Sequence, residues 1–184
     1  MSNSKQTNNE TKKPRPEWLD WLQIIVIAAV LAFVLNNFVI ANARVPTGSM
    51  ITTIMPGDRV IGSRLAYRFE APKRGDIIIF HAPDEPETLY VKRIIGMPGD
   101  KVTIRDGQVY LNDSETPLEE NYIREPMKPA ALQEFQVPAG AYFCMGDNRN
   151  GSVDARYWTN HYVYIDKIVA KVLFRYWPGI KVLK

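Results

Sequence analysis

The 184-residue sequence has one cysteine, two histidines and a net charge of only +3. A lone Cys144 excludes an internal disulfide and a cysteine-rich metal site. A domain built without disulfides must rely on its own core. The histidines are His81, in His81-Ala82-Pro83-Asp84, and His161, in Asn160-His161-Tyr162. They form no H-x-x-x-H pair for zinc, and neither has a triad context; an ordinary surface role suits both. The cations are scattered, with no basic helix and no aromatic–basic repeat, which argues against a nucleic-acid partner. No repeat or low-complexity tract stands out. After Ala43 there is no strong helical pattern. Hydrophobic residues at 46% and aromatics at 11% still describe a folded chain.

What the sequence does contain is one long apolar run, from Leu22 to Ile40 with few interruptions. Before it, residues 1–16 are polar and carry Lys5, Lys12, Lys13 and Arg15, the composition of a disordered tail. A helix over 17–41 would be roughly 36 Å long, enough to cross the hydrocarbon of a bilayer. Trp18 and Trp21 suit its interface, and the cations ahead of it put the N-terminus in the cytoplasm and the rest outside. Two other readings fit the same run. One is a buried core helix, which so uniformly apolar a surface disfavours. The other is a cleavable signal sequence, since Ala41-Asn42-Ala43 is an A-x-A pattern behind an apolar stretch. Local sequence leaves anchor and signal open.

Residues 42–184 are expected to form one core-bearing domain, mainly β and antiparallel. Short β-like runs recur at 59–61, 76–80, 89–95, 101–105, 108–111, 141–145, 162–165 and 168–176. Turn signals such as Pro56-Gly57-Asp58, Arg74-Gly75-Asp76 and Pro98-Gly99-Asp100 separate them. Asp106-Gly107 between Val102–Arg105 and Gln108–Leu111 predicts a hairpin with a type I′ turn. Residues 112–138 hold Pro117, Pro126, Pro129 and Pro138 among acids and read as an excursion, so a small β lobe is expected at about 105–140.

Two residues offer chemistry. Ser49 lies in a Pro/Gly-punctuated turn, Val45-Pro46-Thr47-Gly48-Ser49-Met50, soon after the apolar run. A serine hydroxyl needs a base to become a nucleophile. Lys92, between Val91 and Ile94 in an apolar strand, is where burial would lower an amine pKa and free a lone pair. Each has a plain alternative: Thr-Gly-Ser is common turn chemistry, and a strand lysine can snorkel to water. Residues 145–158 form a polar knot around Asp147, Asn148, Ser152, Asp154 and Arg156 that lacks the spacing of an EF-hand.

Together these segments resemble bacterial type I signal peptidases. Pro46-Thr47-Gly48-Ser49-Met50, then 74–80, then Lys92-Arg93-Ile94-Ile95-Gly96-Met97-Pro98-Gly99-Asp100, then Gly146 to Arg156 match that family's boxes in order. Thr52-Thr53, Gly151 and Ala155 depart from its usual residues. The resemblance implies an N-terminal transmembrane helix that is retained, with Ala41-Asn42-Ala43 leading into the first strand. It implies an antiparallel β catalytic domain outside the bacterial membrane that cuts secreted preproteins after A-x-A-like sites. Ser49 would be nucleophile and Lys92 general base, with Thr47 and the Ser49 N–H as oxyanion hole. Ser152 would orient Lys92, and Asp147, Asp154, Arg93 and Arg156 would be supporting ion pairs. Val45, Met50, Ile54, Val60, Tyr90 and Val91 would line small apolar pockets. No metal or cofactor is implied; the partners are signal peptides and the lipid bilayer. A membrane-anchored β domain that binds and catalyses nothing is the competing class, and an intact Ser49 with Lys92 argues against it.

Overall fold

A computed structural model describes residues 16–183, so the tail expected at 1–16 lies, apart from Pro16, outside the described residues. The chain divides into two units, one ending at Leu35 and one beginning at Asn36.

Helix α1, Glu17–Val34, lies in the first unit, and one π-helical turn over Leu35–Val39 follows it. Glu17 and Asp20 in its first turn complement the positive end of the helix dipole. Its apolar side chains point outward all round: none is buried, and Trp18 and Trp21 are exposed. Within the 23 residues from Glu17 to Val39, an 18-residue window has a mean hydropathy of 2.3. At 1.5 Å per residue the whole stretch extends about 34 Å, long and apolar enough to cross a membrane.

The second unit is built of antiparallel strands, as the alternation of short apolar runs and turns predicts. In chain order they are β1 Ile40–Arg44, β2 Arg59–Ser63, β3 Ile77–His81, β4 Leu89–Gly96, β5 Lys101–Arg105, β6 Gln108–Leu111, β7 Gln133–Gln136, β8 Ala141–Met145, β9 Val163–Tyr164, β10 Ile168–Trp177 and β11 Lys181–Val182. One helical turn, α2, covers Ala66–Phe69. The larger sheet runs β1-β2-β10-β3-β4-β8-β9, with β11 on β10. Register shifts in β10 against both β2 and β3 let this long strand bend between them.

Strand β3 shows why its sequence is an unbroken apolar run rather than an alternation. Ile77 and Ile79 enter one buried cluster with Val45, Met50, Ile54 and Val60, while Ile78 and Phe80 enter another with Ile94, Phe143 and Trp158. Both faces of the strand are therefore core. Opposite it, Lys92 of β4 pairs with Ile78, which places an amine in the middle of this apolar layer.

The smaller sheet, β6-β5-β7, spans Lys101 to Gln136, where the sequence set the lobe at about 105–140. Asp106 and Gly107 have φ of +50° and +71°, so the hairpin turn has the two left-handed residues expected there. Strand β7 was not foreseen, because only Phe135 of Gln133–Gln136 is buried.

The helix expected over 17–41 stops at Val39. Ile40 to Arg44 pair instead with Ser63 to Arg59 as strand β1, and Ala41 is buried in that sheet. Sheet pairing overrides the apolar composition that extends the helical reading. Ala41-Asn42-Ala43 thus lies within the first strand rather than leading into it.

Candidate active site

Strand β1 delivers the chain into the turn that carries Ser49. The Val45 N–H donates to Asp58 O (2.9 Å) and the Gly57 N–H to Val45 O (2.7 Å), closing the base of the loop. Within it, the Ile54 N–H donates to Met50 O (2.9 Å), forming one helical turn. Met50 and Ile54 are fully buried, so the turn is pinned into the core beside Ser49, itself 8% exposed. The Ile51–Thr52 peptide within this turn is cis.

Residues after β8 clamp the same turn from the other side. The Asn148 backbone N–H donates to Ser49 O (3.0 Å), and its side-chain Nδ2 donates to Gly48 O (2.9 Å). Gly146 must be glycine for this contact. A Cβ there would stand 2.4 Å from Ser49 O and 2.3 Å from Ser152 Oγ, closer than any real contact.

Lys92 is 4% exposed, and its Nζ donates to Ser152 Oγ (3.1 Å). The amine also stands 5.8 Å from the centroid of the Tyr90 ring. Burial lowers its pKa from 10.5 to about 8; the Arg156 charge adds to the fall, and Asp154 opposes it. Ser49 and Lys92 line one groove of about 540 Å³ with Val45, Thr47, Tyr90 and Val91. The Thr47 and Ser49 hydroxyl oxygens are 3.5 Å apart, the outer limit of a hydrogen bond.

Around this pair lies a shell of buried charge. Arg93 grips Asp147 with both ends of its fork, at 2.8 and 2.7 Å, and donates a third bond to Gly75 O. Thr53 Oγ1 donates to the same Asp147. Arg156 grips Asp154 in the same way, while Asp154 also accepts the Gly146 N–H (2.9 Å). All four residues that the sequence nominated as supporting pairs therefore pair, Arg93 with Asp147 and Arg156 with Asp154.

A third ion pair was not foreseen. Arg149 Nε donates to Gly146 O, and its other two nitrogens hold the Glu120 carboxylate at 2.6 and 2.5 Å, with both side chains buried. Tyr122 stacks on the Arg93 guanidinium at 3.9 Å and donates its hydroxyl to Glu120. The Pro-rich excursion thus reaches into the shell behind the lysine. Asn148 and Gly146 lie inside the Gly146 to Arg156 stretch but were not singled out as site residues. Glu120 and Tyr122 had no local signal.

Of the six nominated pocket residues, Val45, Tyr90 and Val91 line the groove. Met50, Ile54 and Val60 are fully buried in the cluster beneath it. The histidines lie elsewhere. His81 Nδ1 contacts Pro86 O (2.7 Å) on an exposed strand end, and His161 Nδ1 contacts Ala155 O (2.6 Å) with its ring against Phe135. Cys144 is wholly buried, and desolvation pushes its pKa up, so it remains a thiol. Among the described residues no group of three or more His, Cys, Asp or Glu could hold a metal ion.

Comparison with known proteins gives concordant matches. The family model described as "Signal peptidase, peptidase S26" matches residues 18–177. The chain is 36% identical over 182 residues to a "Probable signal peptidase I-2" of Synechocystis sp., covering 95% of this chain and 80% of that one. It is 34% identical over 186 residues to a "Signal peptidase I" of Bacillus caldolyticus, covering 94% and 95%. Among solved structures, a signal peptidase I from Enterococcus faecalis matches at 30% identity with a TM-score of 0.47, over 55% of this chain and 97% of that one.

Proposed function

The chain belongs to the signal peptidase family, peptidase S26, and from that premise we propose that Ser49 is its nucleophile and uncharged Lys92 its general base. The protein is a serine endopeptidase that removes signal peptides from preproteins. The observation that carries the assignment is a lysine in the same groove as Ser49, buried, held by Ser152 and with its pKa near 8.

The reaction then runs as follows. Neutral Lys92 takes the Ser49 hydroxyl proton as Oγ attacks the scissile carbonyl carbon. The oxyanion that forms is held by the Ser49 N–H and the Thr47 hydroxyl. Collapse breaks the C–N bond, and the Lys92 ammonium returns its proton to the departing amine of the mature chain. An ester of the signal peptide remains on Ser49. Water, deprotonated by Lys92, attacks that ester and regenerates the serine. The Ser152 hydroxyl holds the amine so that its lone pair faces Ser49. Val45, Tyr90 and Val91 contact the small residues one and three places before the cut, with Met50, Ile54 and Val60 supporting them from below.

Helix α1 is the membrane anchor, with the cytoplasm on its N-terminal side and the β domain outside. Lys5, Lys12, Lys13 and Arg15 ahead of a 23-residue apolar helix support this orientation. The decisive experiment incubates the detergent-solubilised full-length protein with a model preprotein. Ser49→Ala and Lys92→Met should each abolish cleavage while the protein stays folded, and an acyl-trapping inhibitor should label Ser49 only. Cleavage surviving in Ser49→Ala would reject the nucleophile.

A further inference from the structure

Gly151 and Val153 are among the residues lining the groove that holds Ser49 and Lys92. A second cavity of about 570 Å³ shares those two residues. Ser152, whose hydroxyl accepts from Lys92, lines this second space. Its far wall is the excursion, Met127 to Ala130, and that wall is anchored. The Lys128 N–H donates to Asn150 Oδ1 (2.8 Å), Asn150 Nδ2 donates to Glu125 and to Pro126 O (both 3.1 Å), and Arg156 reaches Met127 Sδ (3.0 Å). Val153 and Tyr157 stand exposed at the rim.

The charge of the cavity is one-sided. No acidic residue lines it, and three cations do: Lys128, Arg149 and Arg156. Arg149 is neutralised by Glu120 and Arg156 by Asp154. Lys128 makes no ion pair among the described residues, and it is exposed.

A protein substrate extends on both sides of the bond that is cut. If the groove takes the residues before the cut, as proposed above, the chain leaving Ser49 passes over Gly151 and Val153. We propose that the second cavity binds the first residues of the mature protein, and that Lys128 makes it favour acidic side chains there. The volume lies within the range of peptide- and ligand-sized sites. The apolar surfaces of Met127, Pro129 and Tyr157 receive the chain, and Lys128 reads its charge.

The test uses full-length protein in detergent and two preproteins that differ only at the second and third residues after the cut, Glu-Glu in one and Lys-Lys in the other. Wild type should cleave the Glu form with a kcat/KM about two- to five-fold higher, the discrimination one exposed charge pair gives. The preference should approach unity in Lys128→Ala, reverse in Lys128→Glu, and fade at high salt. Substrates varied three places before the cut should be ranked identically by all three proteins. Equal Glu/Lys ratios in the three proteins, or a changed ranking before the cut instead, would overturn the assignment. Ser49→Ala run in parallel keeps the two ideas apart. If it is inactive while the ratios stay fixed, only the second site fails; if it is active, the underlying reading fails.

Discussion

Replacing Lys92 by methionine should kill the enzyme and stabilise it. The side chain is 4% exposed and its pKa falls from 10.5 to about 8, chiefly through loss of hydration. At pH 7 it is mostly charged, so folding carries an ammonium into an apolar layer. The fall corresponds to about 3 kcal/mol of stability withheld at any pH below 8. Between pH 8 and 10.5 the unfolded chain holds a Lys92 proton that the folded one has released, so stability rises across that window. Methionine has similar length and no charge, so Lys92→Met should gain a large part of those 3 kcal/mol at pH 7 and little above pH 10.5. With an m-value of about 2 kcal/mol/M, the urea midpoint should rise by roughly 1 M. Urea titrations of full-length protein in a non-ionic detergent, at pH 7 and pH 10, measure this against wild type. With Lys92 as the base proposed above, the same ionisation sets the rate. About a tenth of the lysine is neutral at pH 7 and about nine-tenths at pH 9, so kcat/KM of wild type should climb about ten-fold between them. A methionine variant no more stable than wild type at pH 7, together with a rate limb near 6.5, would refute a buried, depressed lysine.

Thr47→Val should lower kcat by roughly 10²–10³-fold, the usual loss for one oxyanion donor, with Thr47→Ser tolerated; steady-state cleavage of a model preprotein decides it. Gly146→Ala inserts a methyl 2.4 Å from Ser49 O and 2.3 Å from Ser152 Oγ, so the turn must shift. A displacement of that size should cut kcat by about 10²-fold in enzyme counted by acyl-trapping titration, and an unchanged kcat would show that the contact has no positional role. His81→Ala and His161→Ala should retain most activity, because neither ring lines the groove. N-terminal sequencing of mature protein should find no chain beginning at Arg44.

The core strands were legible because their chemistry is local. Ile77–Phe80 read as a fully apolar strand and is buried on both faces. Ser49 and Lys92 were legible as a turn serine and an apolar-strand lysine, and their common groove follows from the fold. The start of β1 was misjudged because Ile40 and Ala41 are as apolar as the helix before them; pairing with β2, about twenty residues later, decides their state. Met50, Ile54 and Val60 were apolar and near Ser49 in sequence, yet they face inward, since a turn packed on a core must bury one side. The Asn148 clamp and the Glu120–Arg149 pair join positions 100 and 29 residues apart. No periodicity encodes such contacts, and only the completed sheet brings them together.

Strand β1 bears on how this enzyme tells itself from its substrates. It carries its own A-x-A tripeptide just past an apolar helix, the pattern expected of the sites it cuts. In the folded protein that tripeptide is not a free extended segment: Ala41, Asn42 and Ala43 are zipped to Gly62, Ile61 and Val60, and Ala41 is sealed beneath the surface. For a neighbouring copy to attack it, an edge strand would have to peel away and leave its backbone groups unpaired. Self and non-self are therefore separated by conformation, not by composition. The immunity lasts as long as the first strand stays in place, and it is weakest in a chain emerging before β2 has been made.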